Sequence, residues 1–251
     1  MERVLIVVKS GVYDDARIRR TARTLADAGL DVEIIGDRPT IAQAYKDAAS
    51  AVRTVDYFVE QGVKVVNMSW GGSLAGVEAA LEQTGAPGTP EERRALARRI
   101  YDIGYKSLFE ALRDAPGILF VISAGNSDAN VAFDEWMPSS FKLPNVMVSG
   151  AVDQAGDETS FTSFGNSDVY SNGFEVESYV PGGARLKMSG TSMSAPNMTN
   201  LAAKLWALYP DLTADENVDF VASLFGLLTP RQSRSRPNRI PPASWVQAGC
   251  R

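Results

Sequence analysis

Histidine is absent from the 251 residues, and cysteine occurs once, at Cys250, one residue from the end of the sequence. A single cysteine excludes a disulfide bond within the chain. Without histidine, these residues cannot supply an imidazole base, which is the usual partner of an activated serine. Long apolar runs are missing as well, since none approaches the roughly 20 residues of a membrane-spanning helix. These absences exclude an internal disulfide, a histidine base and a membrane-spanning helix from these residues.

An excess of acidic side chains gives the chain a formal net charge of −5 at pH 7. A field of this sign repels phosphate, so we expect neither a nucleic acid nor an anionic membrane as a partner. The apolar run at residues 3–8 is followed by Lys9 and not by a cleavage site. We therefore interpret that run as a buried strand and not as a signal peptide. For the sequence as written, this predicts a cytoplasmic protein.

Short apolar runs alternate with longer helical patterns, which is typical of a parallel β-sheet covered by helices on both faces. The sequence predicts strands at 3–8, 31–35, 63–69, 117–124 and 145–152. It predicts helices at 15–28, 41–61, 90–113, 191–208 and 214–227. Residues 229–251 mix Arg, Ser and Pro without periodicity, which predicts a flexible basic tail or, alternatively, a functional basic arm.

Two predicted strands end in small and polar residues. The segment VVNMSWGGS ends in Ser-x-Gly-Gly, and FVISAGNSD ends in a small-residue turn with Asn126 just beyond it. Each segment is either a plain strand-to-loop turn or part of a binding cleft. In the second interpretation, the backbone of 69–71 pairs with an extended peptide, and Ala124 and Gly125 allow its close approach. Asn126 then directs its side-chain amide at a developing oxyanion.

The third segment, KMSGTSMSAPNMTN, leads through Gly190 and Thr191 to Ser192 at the start of a predicted helix. A serine in this position is commonly a helix cap, whose hydroxyl satisfies free backbone N–H groups. It is also the setting of an activated nucleophile. All three segments lie where predicted parallel strands end, and open parallel sheets bind their ligands at that edge.

Together, these segments resemble the subtilisin-like serine protease family, peptidase S8. Over about residues 55–225 the family's order is matched by VKVVNMSWGG, FVISAGNSD, LPNVMVSGAVDQAGDETSFTSFG, SYVPGG and MSGTSMSAPNMTNLAAKLWALYP. The resemblance implies an α/β, three-layer domain with a mostly parallel sheet and a shortened N-terminal part. This domain is expected at residues 41–228, after a β-α-β segment at 1–40 and before the tail at 229–251.

The same resemblance implies roles for individual residues. Ser192 is expected to be the catalytic nucleophile and Asn126 the oxyanion-hole side chain, with the backbone N–H of Ser192 as the second donor. The expected substrate-binding wall consists of Ser69, Trp70, Gly71, Ala124 and Gly125. The expected ligand is an extended polypeptide, as substrate or as bound peptide, and no cofactor is expected. Calcium sites are common in the family, but the sequence assigns no metal ligand and no oligomeric state.

Two members of the family's catalytic triad have no counterpart. Aligning VLIVVKSGV with the family's first strand puts Lys9 at the position of the aspartate, and no His-Gly-Thr segment exists. At the position of the aspartate, Lys9 would be separated from the serine by the place that the histidine occupies in the triad. A lysine also needs strong desolvation to act as a base near neutral pH. We therefore expect a domain with nucleophile and oxyanion hole but no meaningful endopeptidase activity as an isolated chain. The alternatives are a peptide-binding pseudoprotease and a truncated or fused gene product without activity.

The first forty residues carry a second resemblance. The segment RVLIVVKSGVYDDARIRRTARTLADAGLDVEIIGD resembles the N-terminal β-α-β unit of nucleotide-sugar glycosyltransferases, and a single unit of this kind is present. Either the family's N-terminal half has degenerated into a bare β-α-β unit, or an unrelated unit has been joined to a shortened protease domain. The second explanation is favoured, and both leave the expected chemistry of Ser192 unchanged.

Overall fold

The computed structural model describes residues 3–8, 31–36, 40–180 and 183–224. Its strands are β1 (Arg3–Val8), β2 (Asp31–Gly36), β3 (Val65–Met68), β4 (Gly72–Ser73), β5 (Leu119–Ser123), β6 (Trp136–Met137), β7 (Val146–Val152), β8 (Val169–Asn172), β9 (Val176–Tyr179) and β10 (Arg185–Met188). Its helices are α1 (Ile41–Glu60), α2 (Leu74–Gln83), α3 (Pro90–Arg113), α4 (Thr191–Leu208) and α5 (Ala214–Leu224). None of the described helices is both long enough and apolar enough to cross a membrane.

The strands and helices predicted within this part of the chain are confirmed, with bounds that differ by a few residues at most. The helix predicted at 15–28, Lys9 and the tail at 229–251 lie outside the described residues. The prediction missed α2 and five short strands. α2 was missed because the glycines around its start favour a turn. The helix begins there because Ser73 caps it, accepting a hydrogen bond from the N–H of Gly76 at 3.1 Å.

Two compact units divide the chain. The first comprises the described residues up to Arg53 together with 72–108, and the second comprises 54–71 together with the described residues from Phe109 onward. In the first unit, β1 and β2 pair in parallel, and a small apolar cluster lies between α2 and the first part of α3. The residues that are expected to act in catalysis or in substrate binding all belong to the second unit.

The second unit is built on a four-stranded sheet in the order β3-β5-β7-β8, and every neighbouring pair in it is parallel. β5 is buried along its whole length, as expected for an inner strand of a parallel sheet that is covered on both faces. This architecture confirms the predicted α/β fold class with a mostly parallel sheet. Because the four strands run the same way, their carboxyl ends meet at one edge, where the loops after β3 and β5 begin.

Helix α4 packs across this sheet and contacts all four of its strands. Its buried face includes Met198 and Ala202, which join a core cluster with Val121 and Met147 of the inner strands. α5 packs on α4 and contributes to the same cluster. Burial of a Val or Met side chain contributes about 1.5–3 kcal/mol to stability. The helix that carries Ser192 is therefore held in place by an extensive apolar face.

Candidate active site

Ser192 is the second residue of α4 and is half-buried. The N-cap residue of the helix is Gly190, which has no side chain and a φ of 155° that favours glycine. The hydroxyl of Ser192 instead donates to the backbone carbonyl of Ser69 at 3.3 Å. The alternative in which Ser192 serves as a helix cap is therefore wrong, because its hydroxyl is directed at the residue that follows β3.

A second hydrogen bond joins the same two residues in the opposite direction. Ser69 Oγ donates to the carbonyl of Ser192 at 3.2 Å. That carbonyl is free of its usual helical partner because Pro196, four residues further along α4, has no N–H. The two bonds fix the first turn of α4 to the carboxyl end of β3.

The side chain of Asn126 is oriented by Thr191. Asn126 Oδ1 accepts hydrogen bonds from the backbone N–H of Thr191 at 2.7 Å and from its hydroxyl at 3.0 Å. The hydroxyl of Thr191 in turn accepts from the N–H of Gly125 at 3.0 Å. A backbone N–H donor can be matched only by the amide oxygen, so Asn126 Nδ2 must point away from Thr191. Among the described residues Nδ2 has no hydrogen-bond partner, and a fixed, unpaired donor is what an oxyanion hole requires.

The loops after β3 and β5 therefore both bind the first turn of α4, which brings the three predicted segments together. In the predicted substrate wall, Trp70 is 49% exposed, Gly71 is exposed, and Ser69 and Gly125 are half-buried. Ala124 is fully buried, and its N–H extends the sheet by donating to the carbonyl of Ser149 at 3.0 Å. This places the side chain of Ala124 beneath the surface that the others form.

Both glycines of this wall occupy places where a side chain does not fit. A Cβ on Gly71 would lie 2.9 Å from the carbonyl oxygen of Met137. A Cβ on Gly125 would lie 3.0 Å from Ser163 Oγ, and Gly125 has a φ of 114° that other residues rarely adopt. At both positions the backbone is consequently not covered by a side chain of its own.

A cluster of three buried serine hydroxyls, which no sequence motif indicated, lies next to the site. Ser194 Oγ lies 2.6 Å from Ser149 Oγ, 2.8 Å from Ser171 Oγ and 2.6 Å from the carbonyl oxygen of Gly150. Ser194 can donate to Gly150 and accept from the other two hydroxyls, so every hydrogen in the cluster has a partner. Ser194 stands two residues after Ser192, and the cluster therefore ties the first turn of α4 to β7 and β8.

Among the described residues, the acceptor of the Ser192 hydroxyl is a backbone carbonyl. The Ser69 carbonyl accepts a hydrogen bond but is far too weak a base to take a proton near neutral pH. The sequence has no histidine to take that proton either. Within the described ranges, no three acidic or cysteine side chains gather so as to hold a metal ion.

Comparisons with known proteins identify related sequences and folds. The model of the Subtilase family matches residues 28–225. Alkaline elastase YaB of Bacillus sp. (strain YaB) is 32% identical over 146 residues, which cover 57% of this chain and 36% of that protein. M-protease of Shouchella clausii (strain KSM-K16) is 30% identical over 145 residues, which cover 56% of this chain and 36% of that protein.

A solved structure shares the fold. The crystal structure of a cold adapted subtilisin-like serine proteinase aligns with a TM-score of 0.50 and 20% sequence identity, covering 77% of this chain and 60% of that chain. At this identity the likeness bears on the fold alone. The chain also spans only 36% of the length of each of the two sequence relatives.

Proposed function

Because the chain belongs to the Subtilase family, we propose that its second unit is a subtilisin-like serine endopeptidase domain with Ser192 as its nucleophile. The observation that carries the proposal is the orientation of Asn126, whose Oδ1 is occupied by Thr191 while Nδ2 is left to donate. Asn126 Nδ2 and the backbone N–H of Ser192 are the two proposed oxyanion donors. Ser192 Oγ would attack the carbonyl carbon of a peptide bond, and the two donors would stabilise the oxygen on which charge develops.

The proposed domain is severely impaired as an isolated chain. In a serine protease, the base takes the serine proton and later gives it to the leaving amine. The only described acceptor for the Ser192 proton is the Ser69 carbonyl, which cannot perform either step. In subtilisin itself, loss of the histidine lowers kcat by about a millionfold, and about 10³–10⁴-fold catalysis over water remains from the oxyanion hole and binding. We expect a residual activity of that kind.

The proposed substrate is an extended polypeptide. The backbone edge at 69–71 lies beside Ser192 and can pair with a substrate strand, which is how extended peptides add to an exposed backbone edge. The N–H of Gly125 is already bonded to Thr191, so the segment after β5 would contribute a wall of the cleft and not a pairing strand. Trp70, half of whose surface is exposed, would contact the substrate residue before the bond that is cut. The bare backbone at Gly71 and Gly125 would let the peptide approach closely.

The test combines an active-site probe with a protein substrate. A fluorophosphonate probe should label the chain slowly, and Ser192→Ala should abolish the labelling. Unfolded casein should show no meaningful cleavage over the same period. Labelling that survives Ser192→Ala would remove Ser192 as the nucleophile, and rapid casein cleavage would show that a base is already present.

A second candidate function is peptide binding without cleavage, as in a pseudoprotease. The observation that favours it is that the Ser192 hydroxyl is hydrogen-bonded to a backbone carbonyl, in a sequence without histidine. In this case the cleft holds unstructured peptides saturably and releases them intact. Slow labelling of Ser192 by the fluorophosphonate probe would favour the first function, whereas saturable peptide binding without any labelling would favour the second.

Both functions predict that a side chain at Gly125 weakens peptide binding. We expect Gly125→Val to raise the Kd for an unstructured peptide by at least about tenfold, which is about 1.4 kcal/mol, measured by fluorescence anisotropy. The reason is that its Cβ would crowd Ser163 Oγ and cover the bare backbone. Gly156→Val is the matched control, because Gly156 also has a positive φ, 91°, but open space around it. Equal losses in the two variants would contradict the assignment of Gly125 to the cleft.

A further inference from the structure

The first turn of α4 depends on contacts outside the helix for its position. Its N-cap glycine has no side chain, and the missing N–H of Pro196 leaves the carbonyl of Ser192 without its usual helical partner. One external contact is the hydrogen bond from the Ser192 hydroxyl to the carbonyl of Ser69. This bond breaks when the hydroxyl gives up its proton, so it cannot hold Ser192 Oγ in place during the proposed reaction.

The serine cluster, formed by Ser149, Ser171 and Ser194, holds the same turn from within the core. Ser149 and Ser194 are fully buried, and Ser171 is only 8% exposed. The hydroxyl of Ser171 also reaches the backbone carbonyl of Ser194 at 3.0 Å, so it can bind either the side chain or the backbone of that residue. Because these groups are buried, an occupant of the proposed cleft would leave their hydrogen bonds intact.

Ser149 links this cluster to the other half of the proposed site. Its hydroxyl lies 2.6 Å from Ser194 Oγ, two residues after the proposed nucleophile. Its backbone carbonyl accepts a hydrogen bond at 3.0 Å from the N–H of Ala124, two residues before Asn126. One buried residue of the inner strand β7 is therefore bonded both to the helix of the nucleophile and to the segment of the oxyanion-hole amide.

Close backbone packing at the end of β8 supports the same turn. The N–H of Gly190 donates to the carbonyl of Gly173, the residue after β8, at 2.8 Å. A Cβ on Gly173 would lie 2.8 Å from the carbonyl oxygen of Gly190 and 3.4 Å from the Cβ of Ser194. The start of α4 is thus packed directly on the sheet, and the hydroxyls of the serine cluster add directional bonds to that contact.

We propose that the serine cluster positions the nucleophile by setting the place of Ser192 Oγ relative to Asn126 Nδ2, an inference that rests on the proposed function. Ser194 is a positioning residue, because it would contact neither the substrate nor the reacting atoms. A misplacement of about 1 Å far from the chemistry can lower a rate about 10²-fold. Loss of the cluster therefore slows the reaction of Ser192 and leaves the affinity for a peptide nearly unchanged.

The test is the second-order rate constant for fluorophosphonate labelling of Ser194→Ala, measured where circular dichroism shows the variant to be folded. We expect this constant to fall by at least about tenfold, while the Kd for an unstructured peptide changes by less than about threefold. A rate constant within about twofold of that of the unaltered chain, or an equal loss of peptide affinity, would overturn the proposal. If Ser194→Ala does not fold, Ser171→Ala on the edge strand β8 takes its place, with the same criteria.

Asn145→Ala is the matched control for lowered stability. Asn145 is 3% exposed, and its Nδ2 lies 2.8–3.2 Å from three backbone carbonyls, those of Leu112, Ala115 and Ile118. This variant also leaves buried polar groups without partners. It does so at the amino end of β7, away from the edge that holds Ser192, and should leave the labelling rate unaltered. An equal loss of rate in Asn145→Ala would show that lowered stability, and not position, slows Ser192.

The variant in which all three serines of the cluster are alanine separates position from stability. It leaves fewer buried polar groups unpaired than Ser194→Ala does, so it should be at least as stable. It also removes every hydroxyl of the cluster, so its labelling rate should stay at least as low. Recovery of the labelling rate together with stability would contradict a positioning role.

Ser192→Ala separates this inference from the proposed function. If labelling survives in Ser192→Ala, the assigned nucleophile is wrong, and the positioning role falls with it. If Ser192→Ala abolishes labelling while the folded cluster variants are labelled at the rate of the unaltered chain, the positioning role alone fails.

Discussion

Replacing Asn126 by leucine should lower the rate of Ser192 labelling by the fluorophosphonate probe by about 10²–10³-fold, the size of the kcat loss when one oxyanion donor is removed from subtilisin itself. The reason lies in the geometry of the amide. Its oxygen is held by two hydrogen bonds from Thr191, so the N–H group is aimed before any ligand arrives. Leucine has a similar volume and removes the donor. The measurement is the second-order rate constant for labelling.

Two further variants make this result specific. Asn200→Leu makes the same change at an exposed position of α4 and should leave the rate constant unaltered. Thr191→Val keeps the backbone N–H that binds Asn126 but removes the hydroxyl, so it should lower the rate less than Asn126→Leu does. A labelling rate that is insensitive to Asn126→Leu would exclude this side chain from the oxyanion hole.

Replacing Ser194 by alanine should lower the free energy of unfolding by about 1–3 kcal/mol, the cost of leaving buried polar groups without partners. Ser194 is fully buried and lies within 2.6–2.8 Å of two serine hydroxyls and the carbonyl of Gly150. Alanine fits the same space but can neither donate nor accept. The measurement is the urea-induced unfolding of the chain, followed by far-UV circular dichroism.

The triple variant in which Ser149, Ser171 and Ser194 are all alanine provides the control. Replacing all the hydroxyls of a buried cluster by apolar groups can be less destabilising than removing its central hydroxyl alone, because fewer polar groups are left without a partner. We therefore expect the triple variant to lose no more stability than Ser194→Ala alone. Three independent, additive losses would show that the hydroxyls do not act as one cluster.

The residues around Ser192 could be located from sequence because each follows a strand or opens a helix within a short segment. Parallel strands bring their carboxyl ends together, so the sequence alone places VVNMSWGG and FVISAGN at one edge of the sheet. The α/β class follows from the same alternation of apolar runs and helical patterns. Local sequence therefore carried most of the information about this edge.

Features that depend on contacts between distant segments were not accessible in this way. The cluster around Ser194 needs β7, β8 and α4 in one register, and none of its serines stands out from its neighbours. From the sequence, a helix-capping role for the Ser192 hydroxyl was an alternative, because a serine at a helix start usually bonds to the helix N–H groups. Its actual partner, Ser69, lies 123 positions earlier in the chain and becomes visible only through packing.

The two hydrogen bonds between Ser69 and Ser192 would couple ligand binding at the proposed wall to the ordering of the first turn of α4. Ser69 belongs to the proposed peptide-binding wall, and Ser192 belongs to the first turn of α4. A ligand that orders the wall stabilises that turn by a coupling free energy, and an ordered turn strengthens ligand binding by the same amount. Occupancy of the proposed cleft would therefore be transmitted to the N-terminus of α4 whether or not a peptide bond is broken.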